Sequence, residues 1–229
     1  MRIKIENAVV SFAQGLFTPS TVKGGNGAPK FGAHFLIYPD TKVYDVSGDK
    51  PVLTTIHQAE LDVGALVFGK RAAAILPTLA PKQQKAIRSG DLMLRDDGTV
   101  SAGYEGCVYV AAKAKTYKPV YDQDPSRPLL TVDSGKPRSG DRVDVLITLY
   151  GYADPSKRGI FASLEGTQYR CRGTPMGGAG TAVKSDFSLL SVDAVDAKEE
   201  EEEEGLVAGQ DEPVGGWSNM GEMGEDVAF

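Results

Sequence analysis

The sequence predicts a mainly β chain that closes into a small barrel, interrupted by one helical insertion and followed by a disordered acidic tail. Three observations carry that expectation. Short β-patterned segments, separated by glycine and proline turns, recur over most of the first 172 residues. One stretch, about 54–88, changes to a helical period. The last 39 residues hold 13 Asp and Glu against one Lys, a net charge of −12, whereas residues 1–190 hold 24 Lys and Arg against 18 acids, a net of +6. The chain therefore divides into a basic domain at 1–190 and a tail at 191–229, and a basic body tethered to an acidic tail suits a polyanion-binding domain.

Ile3, Ile5, Val9, Val10 and Phe12 mark an opening strand whose alternation is interrupted near Asn7. Residues 22–30 (VKGGNGAPK) read as a flexible loop. A strand at 31–38 places Phe31, Phe35 and Ile37 on one face and His34, Leu36 and Tyr38 on the other. From about Thr54 to Leu76 the spacing of Ile56, Ala59, Val63, Leu66 and Val67 predicts a helix that Pro77 ends, with a short second helix over 81–88. Leu92, Met93 and Leu94 read as a strand entering a turn at Asp97-Gly98. Strands at 104–115, 142–152 and 159–172 follow, and the glycine-rich 173–181 is expected to be mobile.

The composition also limits what the chain does. No apolar run approaches the roughly 20 residues of a membrane span, and the N-terminus reads as a strand with no signal-peptide pattern. Cys107 and Cys171 are expected to be reduced, packed thiols, although sequence alone does not exclude that they meet in a disulfide. Neither His34 nor His57 belongs to a nucleophile motif, and His57 with Glu60 is a weak metal-like pair better explained as an exposed helix face. The 24–30 loop lacks the GK[ST] ending of a P-loop. Asp96 and Asp97 would serve a metal-dependent nuclease, but turn chemistry explains Asp97-Gly98 better. No catalytic residue, metal or cofactor is expected, and the chain is read as a non-enzyme.

Strand parity carries the sharpest functional signal. In Arg142 to Tyr152, Val143, Val145, Ile147 and Leu149 share a core face, leaving Arg142, Asp144, Leu146, Thr148, Tyr150 and Tyr152 outward. In 104–115, Val108, Val110, Ala112 and Ala114 point one way, and Tyr109, Lys113, Lys115 and then Tyr117 point the other. Phe161 and Tyr169 share a parity on the last strand. These rings are interleaved with Lys113, Lys115, Lys118, Arg142, Lys157, Arg158, Arg170 and Arg172. Aromatic rings accept any base for about 1–3 kcal/mol each, and Lys and Arg neutralise phosphates, so the pattern suits sequence-tolerant binding of a single strand. The competing reading is that the tyrosines cap a barrel end or pack beneath the helix.

Glu199, Glu200, Glu201, Glu202, Glu203 and Glu204 form a run that repels itself into an extended chain. Trp217, Met220, Met223 and Phe229 add what a purely solvating tail does not need. Acids such as Asp226 around a terminal aromatic make a short docking peptide, in which charge steers and the ring anchors.

In these features the chain resembles the single-stranded DNA-binding proteins of tailed bacteriophages. Residues 104–121 (YEGCVYVAAKAKTYKPVY), residues 139–169 (SGDRVDVLITLYGYADPSKRGIFASLEGTQY) and the acidic tail ending on Phe229 carry the resemblance. It implies a five-stranded OB barrel that coats and protects single-stranded DNA during replication or recombination, in the cytoplasm of an infected bacterium. It further implies a tail that competes with DNA and recruits replication proteins such as a polymerase, helicase or primase. Tyr109, Lys113, Lys115 and Tyr117 then fall on one barrel strand and its extension, Tyr150 and Tyr152 on the next, Lys157 and Arg158 on the connecting loop, and Phe161 and Tyr169 on the last. A phage structural or assembly protein with a basic β domain is the other reading. DNA versus RNA, duplex preference and homo-oligomer formation are not legible in the sequence.

Overall fold

A computed structural model describes residues 1–21, 27–79 and 84–176. Its elements are β1 (Arg2–Ser11), β2 (Phe31–Ile37), β3 (Lys42–Asp45), β4 (Val52–Thr54), α1 (Ile56–Phe68), α2 (Ala72–Leu79), β5 (Ile87–Ser89), β6 (Val108–Ala114), β7 (Val120–Tyr121), β8 (Arg142–Tyr152) and β9 (Gly159–Cys171). Part of the expected 22–30 loop (22–26), the start of the expected second helix (81–83), the later part of 173–181, the boundary at 190 and the whole acidic tail lie outside the described residues.

The barrel follows from which strands share hydrogen bonds. β1 pairs antiparallel with both β2 and β8, β2 pairs with β6, β6 runs parallel to β9, and β9 returns antiparallel to β8. Five strands thus close in the order β1-β2-β6-β9-β8-β1. That order, with its one parallel contact between the third and fifth barrel strands, is the OB fold. β3 and β4 extend the sheet from β1 as a hairpin, and β7 lies parallel to β9.

Alternation fills the interior. Val143, Val145, Ile147 and Leu149 are each at most 1% exposed, as their parity requires. On β1, Ile3 and Ile5 point inward and so do Ala8 and Val10, a switch from odd to even positions. Asn7 supplies it: its φ is 63°, and the pairing with β8 shifts between Ile5 and Ala8. The interruption read near Asn7 is therefore a β-bulge.

Thr55 caps α1 by accepting from the Gln58 backbone N–H at 3.1 Å, and Ile56, Ala59 and Val63 turn into the core. The first helix ends at Gly69 (φ 58°), and Pro77 sits inside α2, contrary to the expectation that it would stop the helix. Burying Leu76 and Leu79 at about 1.5–3 kcal/mol each outweighs one lost backbone donor. Gly64 lets the two helices touch, since a Cβ there would stand 2.9 Å from Leu76 Cδ1.

Of the second helix expected at 81–88, the described residues 84–88 are extended chain leading into β5 instead. β6 and β9 diverge beyond their two paired residues, and the chain at 84–87 satisfies the open backbone groups. Ala86 N–H donates to Ile160 O at 2.8 Å, Ala111 N–H to Ala86 O at 2.9 Å, and Ile160 N–H to Gln84 O at 2.9 Å. Lys85 pairs with buried Glu60 at 2.9 Å and ties this segment to α1, so Glu60 is not on an exposed helix face.

The strand expected at 92–94 is reduced to a single bridge, Leu94 to Val100, around the Asp96-Asp97-Gly98 turn. The Asp97 carboxylate accepts from the Thr99 N–H at 2.9 Å and hydroxyl at 2.6 Å, as turn chemistry predicts. β6 starts at Val108 rather than Tyr104, because Tyr104 is buried in a second apolar cluster with Val9, Leu36, Cys107 and Tyr109 on the outside of the barrel. Both cysteines are free. Cys107 is buried, with its thiol pushed up to about 11 by that burial, whereas Cys171 is exposed at the end of β9 rather than packed.

Candidate nucleic-acid interface

Register, read across the barrel, sets a row of outward residues on neighbouring strands. Tyr150 on β8 stands opposite Phe161 on β9. One residue on, Ala162 pairs with Ala112 of β6, so Phe161 stands level with Ala111, with residues 85 and 86 running between the strands there. Ala111 in turn faces His34 of β2, and His34 faces Ser11 of β1. The row crosses β8, β9, β6, β2 and β1 almost at right angles to the strands.

Three rings gather at one end of it. The centroids of Tyr150 and Tyr152 are 5.7 Å apart, Tyr150 and Phe161 5.9 Å, and Tyr152 and Phe161 6.1 Å. Tyr150 and Tyr152 are 38% and 49% exposed, so each offers a face to solvent. Burial, with Tyr152 beside it, pushes the Tyr150 phenol above its ordinary value and keeps it neutral at physiological pH. The loop 153–158 brings exposed Lys157 and half-buried Arg158 next to these rings in sequence. Asp154 shapes that loop by accepting from the Ser156 N–H and hydroxyl at 2.9 and 2.8 Å.

Positive charge lies along the middle of the row. Lys113 stands outward between Gly32 and Ser163. Burial, then Lys30 and Arg88 nearby, holds its ammonium below the usual lysine range. Lys115 continues the same parity and is exposed. The outward positions Tyr150, Tyr152, Phe161, Ser163, Ala111, Lys113, Gly32 and His34 include no acid.

The adjoining surface over β1, β8 and β9 differs. A cleft of about 570 Å³ lies there, sharing Ser163 with the row and lined by Arg2, Lys4, Lys118, Tyr121, Asp144 and Glu165 among others. Two of its three cations are matched by acids: Arg2 meets Glu165 at 2.7 Å and Lys4 meets Glu6 at 2.6 Å. Arg170 holds Asp144 through two hydrogen bonds, one of them at 3.0 Å, and Arg142 pairs with Asp40 at 3.1 Å while donating to Asn7 O. A flank so compensated has little net attraction for a polyanion.

The sequence-predicted residues therefore separate. Tyr150, Tyr152, Phe161, Lys113, Lys115, Lys157 and Arg158 belong to the row or to the strand ends and loop that flank it. Arg142 and Arg170 are engaged on the adjoining surface, Lys118 lines the cleft, and Arg172 is exposed just past β9. Tyr117 is 42% exposed but turns edge-on to Phe31 at 5.9 Å and donates to Leu130 O. Tyr109 is outward from the barrel yet only 3% exposed, because residues 90–107 fold over it and His34 stacks on it at 4.7 Å. Tyr169 is 8% exposed and points inward, with Lys136 5.0 Å from its ring centroid. A bulge explains that inversion: the β8–β9 register shifts between Leu164 and Gly166, so Phe161 and Tyr169 lie on opposite faces despite their shared parity. No base can stack on Tyr109 or Tyr169 as they stand. The tail residues Glu199 to Glu204, Trp217, Asp226 and Phe229 lie outside the described residues.

Comparison with known proteins adds the lineage. Residues 1–204 match the family model described as the single-stranded DNA-binding protein of Enterobacter phage Enc34. The chain belongs to the Enc34 single-stranded DNA-binding protein family. Protein p50 of Acyrthosiphon pisum secondary endosymbiont phage 1 is 31% identical over 202 residues, covering 88% of this chain and 98% of that protein. The Enc34 protein in complex with single-stranded DNA superposes with a TM-score of 0.51 at 18% identity, over 77% of this chain and 89% of that one. Its C-terminal truncation gives 0.51 at 19%, over 76% and 88%. At such identity the solved structures attest the OB fold.

Within this Enc34-family barrel, the residues that sequence reasoning left unassigned are His34, Arg88 and Lys30. The sequence sets His34 on the face of β2 opposite Phe31, Phe35 and Ile37, but only the cross-strand register places it in line with Tyr150 and Phe161. Arg88, expected on a helix, lies instead on β5 opposite Tyr109, and acts electrostatically on both His34 and Lys113. Among the described residues no group of His, Cys, Asp and Glu is arranged to hold a metal ion, and no helix is long and apolar enough to cross a membrane.

Proposed function

We propose that this Enc34-family protein binds single-stranded DNA across the β8-β9-β6-β2 face without catalysing a reaction, and coats the strand during phage replication or recombination in the infected cell. The observation that carries this reading is the acid-free row in which Tyr150, Tyr152 and Phe161 offer ring faces beside Lys113, Lys115, Lys157 and Arg158. Rings supply sequence-tolerant stacking and the cations release counterions from phosphate. If these four cations each engage a phosphate, log K should fall against log salt with a slope of roughly −3. A salt series by fluorescence anisotropy, with labelled oligo-dT, duplex DNA and RNA of equal length, tests this. Tight, salt-dependent binding preferring the DNA single strand is expected. Absent or salt-independent binding to oligo-dT would defeat it and favour a structural or assembly role in the particle, and equal binding of RNA would remove the restriction to DNA.

The net charges of −12 in the last 39 residues and +6 in the remainder support a second element of the proposal. The tail acts as a tethered competitor for the basic face, and its aromatic end recruits replication proteins. Deleting 199–229 is expected to tighten oligo-dT binding several-fold at about 50 mM salt, with the gain shrinking as screening grows. Unchanged or weaker binding by the truncated chain would refute the competitor role. The domain division at 190 would be tested by a chain ending at residue 190, which should melt at the temperature of the full chain.

A further inference from the structure

Phe12 has a backbone that a bulky residue rarely adopts, φ 57° and ψ 40° in the left-handed region. The surroundings hold it there. Val10 N–H donates to Asp141 O at 3.0 Å, Gly15 N–H to Phe12 O at 2.9 Å, and Ala13 N–H to the Ser139 hydroxyl at 3.2 Å. The consequence is that the chain turns at the end of β1 with Ala13 buried at 2% exposure while the Phe12 ring stands out at 53%. Strain and exposure of a large apolar ring together are not what core packing selects, and residues held this way concentrate at functional sites.

The ring is also mounted. It forms a T-shaped pair with His34, with centroids 5.0 Å apart and planes at 79°. His34 lies nearly flat on Tyr109 at 4.7 Å, with Nδ1 2.8 Å from the Tyr104 hydroxyl, and Tyr104 packs edge-on to Tyr109 at 5.3 Å. Tyr104 and Tyr109 are 2% and 3% exposed, so three packed rings form a fixed base beneath the exposed one. His34 is neutral at physiological pH, because burial, Arg88 and Lys113 hold it down to about 4. Pairing of His34 with Ser11 places Phe12, the next residue, at the β1 end of the row that begins at Tyr150.

Resting on the function proposed above, we infer that Phe12 is a second stacking station, which takes an unpaired base at the β1–β2 end of the face while Tyr150, Tyr152 and Phe161 take others at the β8–β9 end. Residues 84–86 lie between β9 and β6 at this level, so the two stations stand four to five strand spacings apart, roughly 20 Å measured round the barrel. Lys113 lies between them, where the phosphates of a single strand crossing the face would pass.

Glycine at position 12 separates a ligand role from a structural one, because it relieves the left-handed strain while removing the ring. Phe12→Gly and Phe12→Ala should each weaken binding of a labelled dT oligonucleotide by roughly tenfold, the scale of one stacked base. Phe12→Gly should melt no lower than wild type, and Phe12→Trp should retain affinity. Combined with Tyr150→Ala and Tyr152→Ala, the losses should multiply, as for separate stations. Wild-type affinity in both ring-less variants would overturn the station, as would a lowered melting point in Phe12→Gly. Failure of the wild type to bind oligo-dT would instead overturn the function on which it rests.

Discussion

Replacing Tyr150 and Tyr152 together by alanine is expected to lower affinity for oligo-dT by about a hundredfold and to leave the thermal midpoint nearly unchanged. Each ring contributes about 1–3 kcal/mol when a base stacks on it, and roughly 2.7 kcal/mol corresponds to a hundredfold. Both rings are more than one-third exposed, so truncating them removes little of the core, which Leu149, Ile147 and Ile160 fill from the inward face. Phe161 loses two neighbours, at 5.9 and 6.1 Å, but keeps its place on β9 through the β8 ladder. Anisotropy titration beside a circular-dichroism melt checks both halves. Unaltered affinity would mean that the outward end of β8 is not the binding face, and a large fall in midpoint would make the rings structural.

How much of this was legible in the sequence depends on the regularity of each strand. β8 pairs without a break over residues 147–152, so alternation alone separated Ile147 and Leu149 from Tyr150 and Tyr152. β9 reads as regularly on paper, but one extra residue near Glu165 turns Thr167 and Tyr169 inward. A bulge of this kind depends on the partner strand, and no local propensity announces it. Tyr109 failed differently. Its parity was right, but outward from the barrel is not the same as exposed when residues 90–107 return to cover it.

Outward is also not a single surface on a closed barrel. Arg142 and Arg170 share the outer side of the sheet with Tyr150 and Phe161, but they sit at the other ends of β8 and β9 beside Asp40, Asp144 and Glu6. Sequence counts those arginines as free positive charge. Register converts them into cross-strand ion pairs, and leaves the positive charge available to a ligand concentrated around Lys113 and the 153–158 loop. The helical period at 56–68 was legible for the same reason as β8, whereas β5 exists only because β6 and β9 part and leave backbone groups to be satisfied.

Acid should destabilise this barrel through one imidazole before its carboxylates titrate. His34 is held down to about 4, first by burial and then by Arg88 and Lys113. An unfolded histidine takes its proton near 6.5, so between 6.5 and about 4 the unfolded chain binds more protons than the folded one, and stability rises with pH across that window. The contribution is complete above about 6.5 and is lost progressively as pH falls, reaching about 3 kcal/mol near the bottom. Glu60 acts in the opposite sense. Burial raises its carboxyl despite Lys85, so protonating it on the way down offsets part of the loss. The substitution His34→Gln isolates the imidazole, because glutamine can hydrogen-bond to the Tyr104 hydroxyl but does not titrate. Urea melts at pH 7.5, 6.0 and 5.0 should show the wild type losing about 2 kcal/mol more than the variant over that range. Parallel losses in the two proteins would mean that His34 takes its proton at the same pH folded as unfolded. The ring beneath Phe12 would then become a cation below about pH 6.5 rather than staying neutral down to about 4.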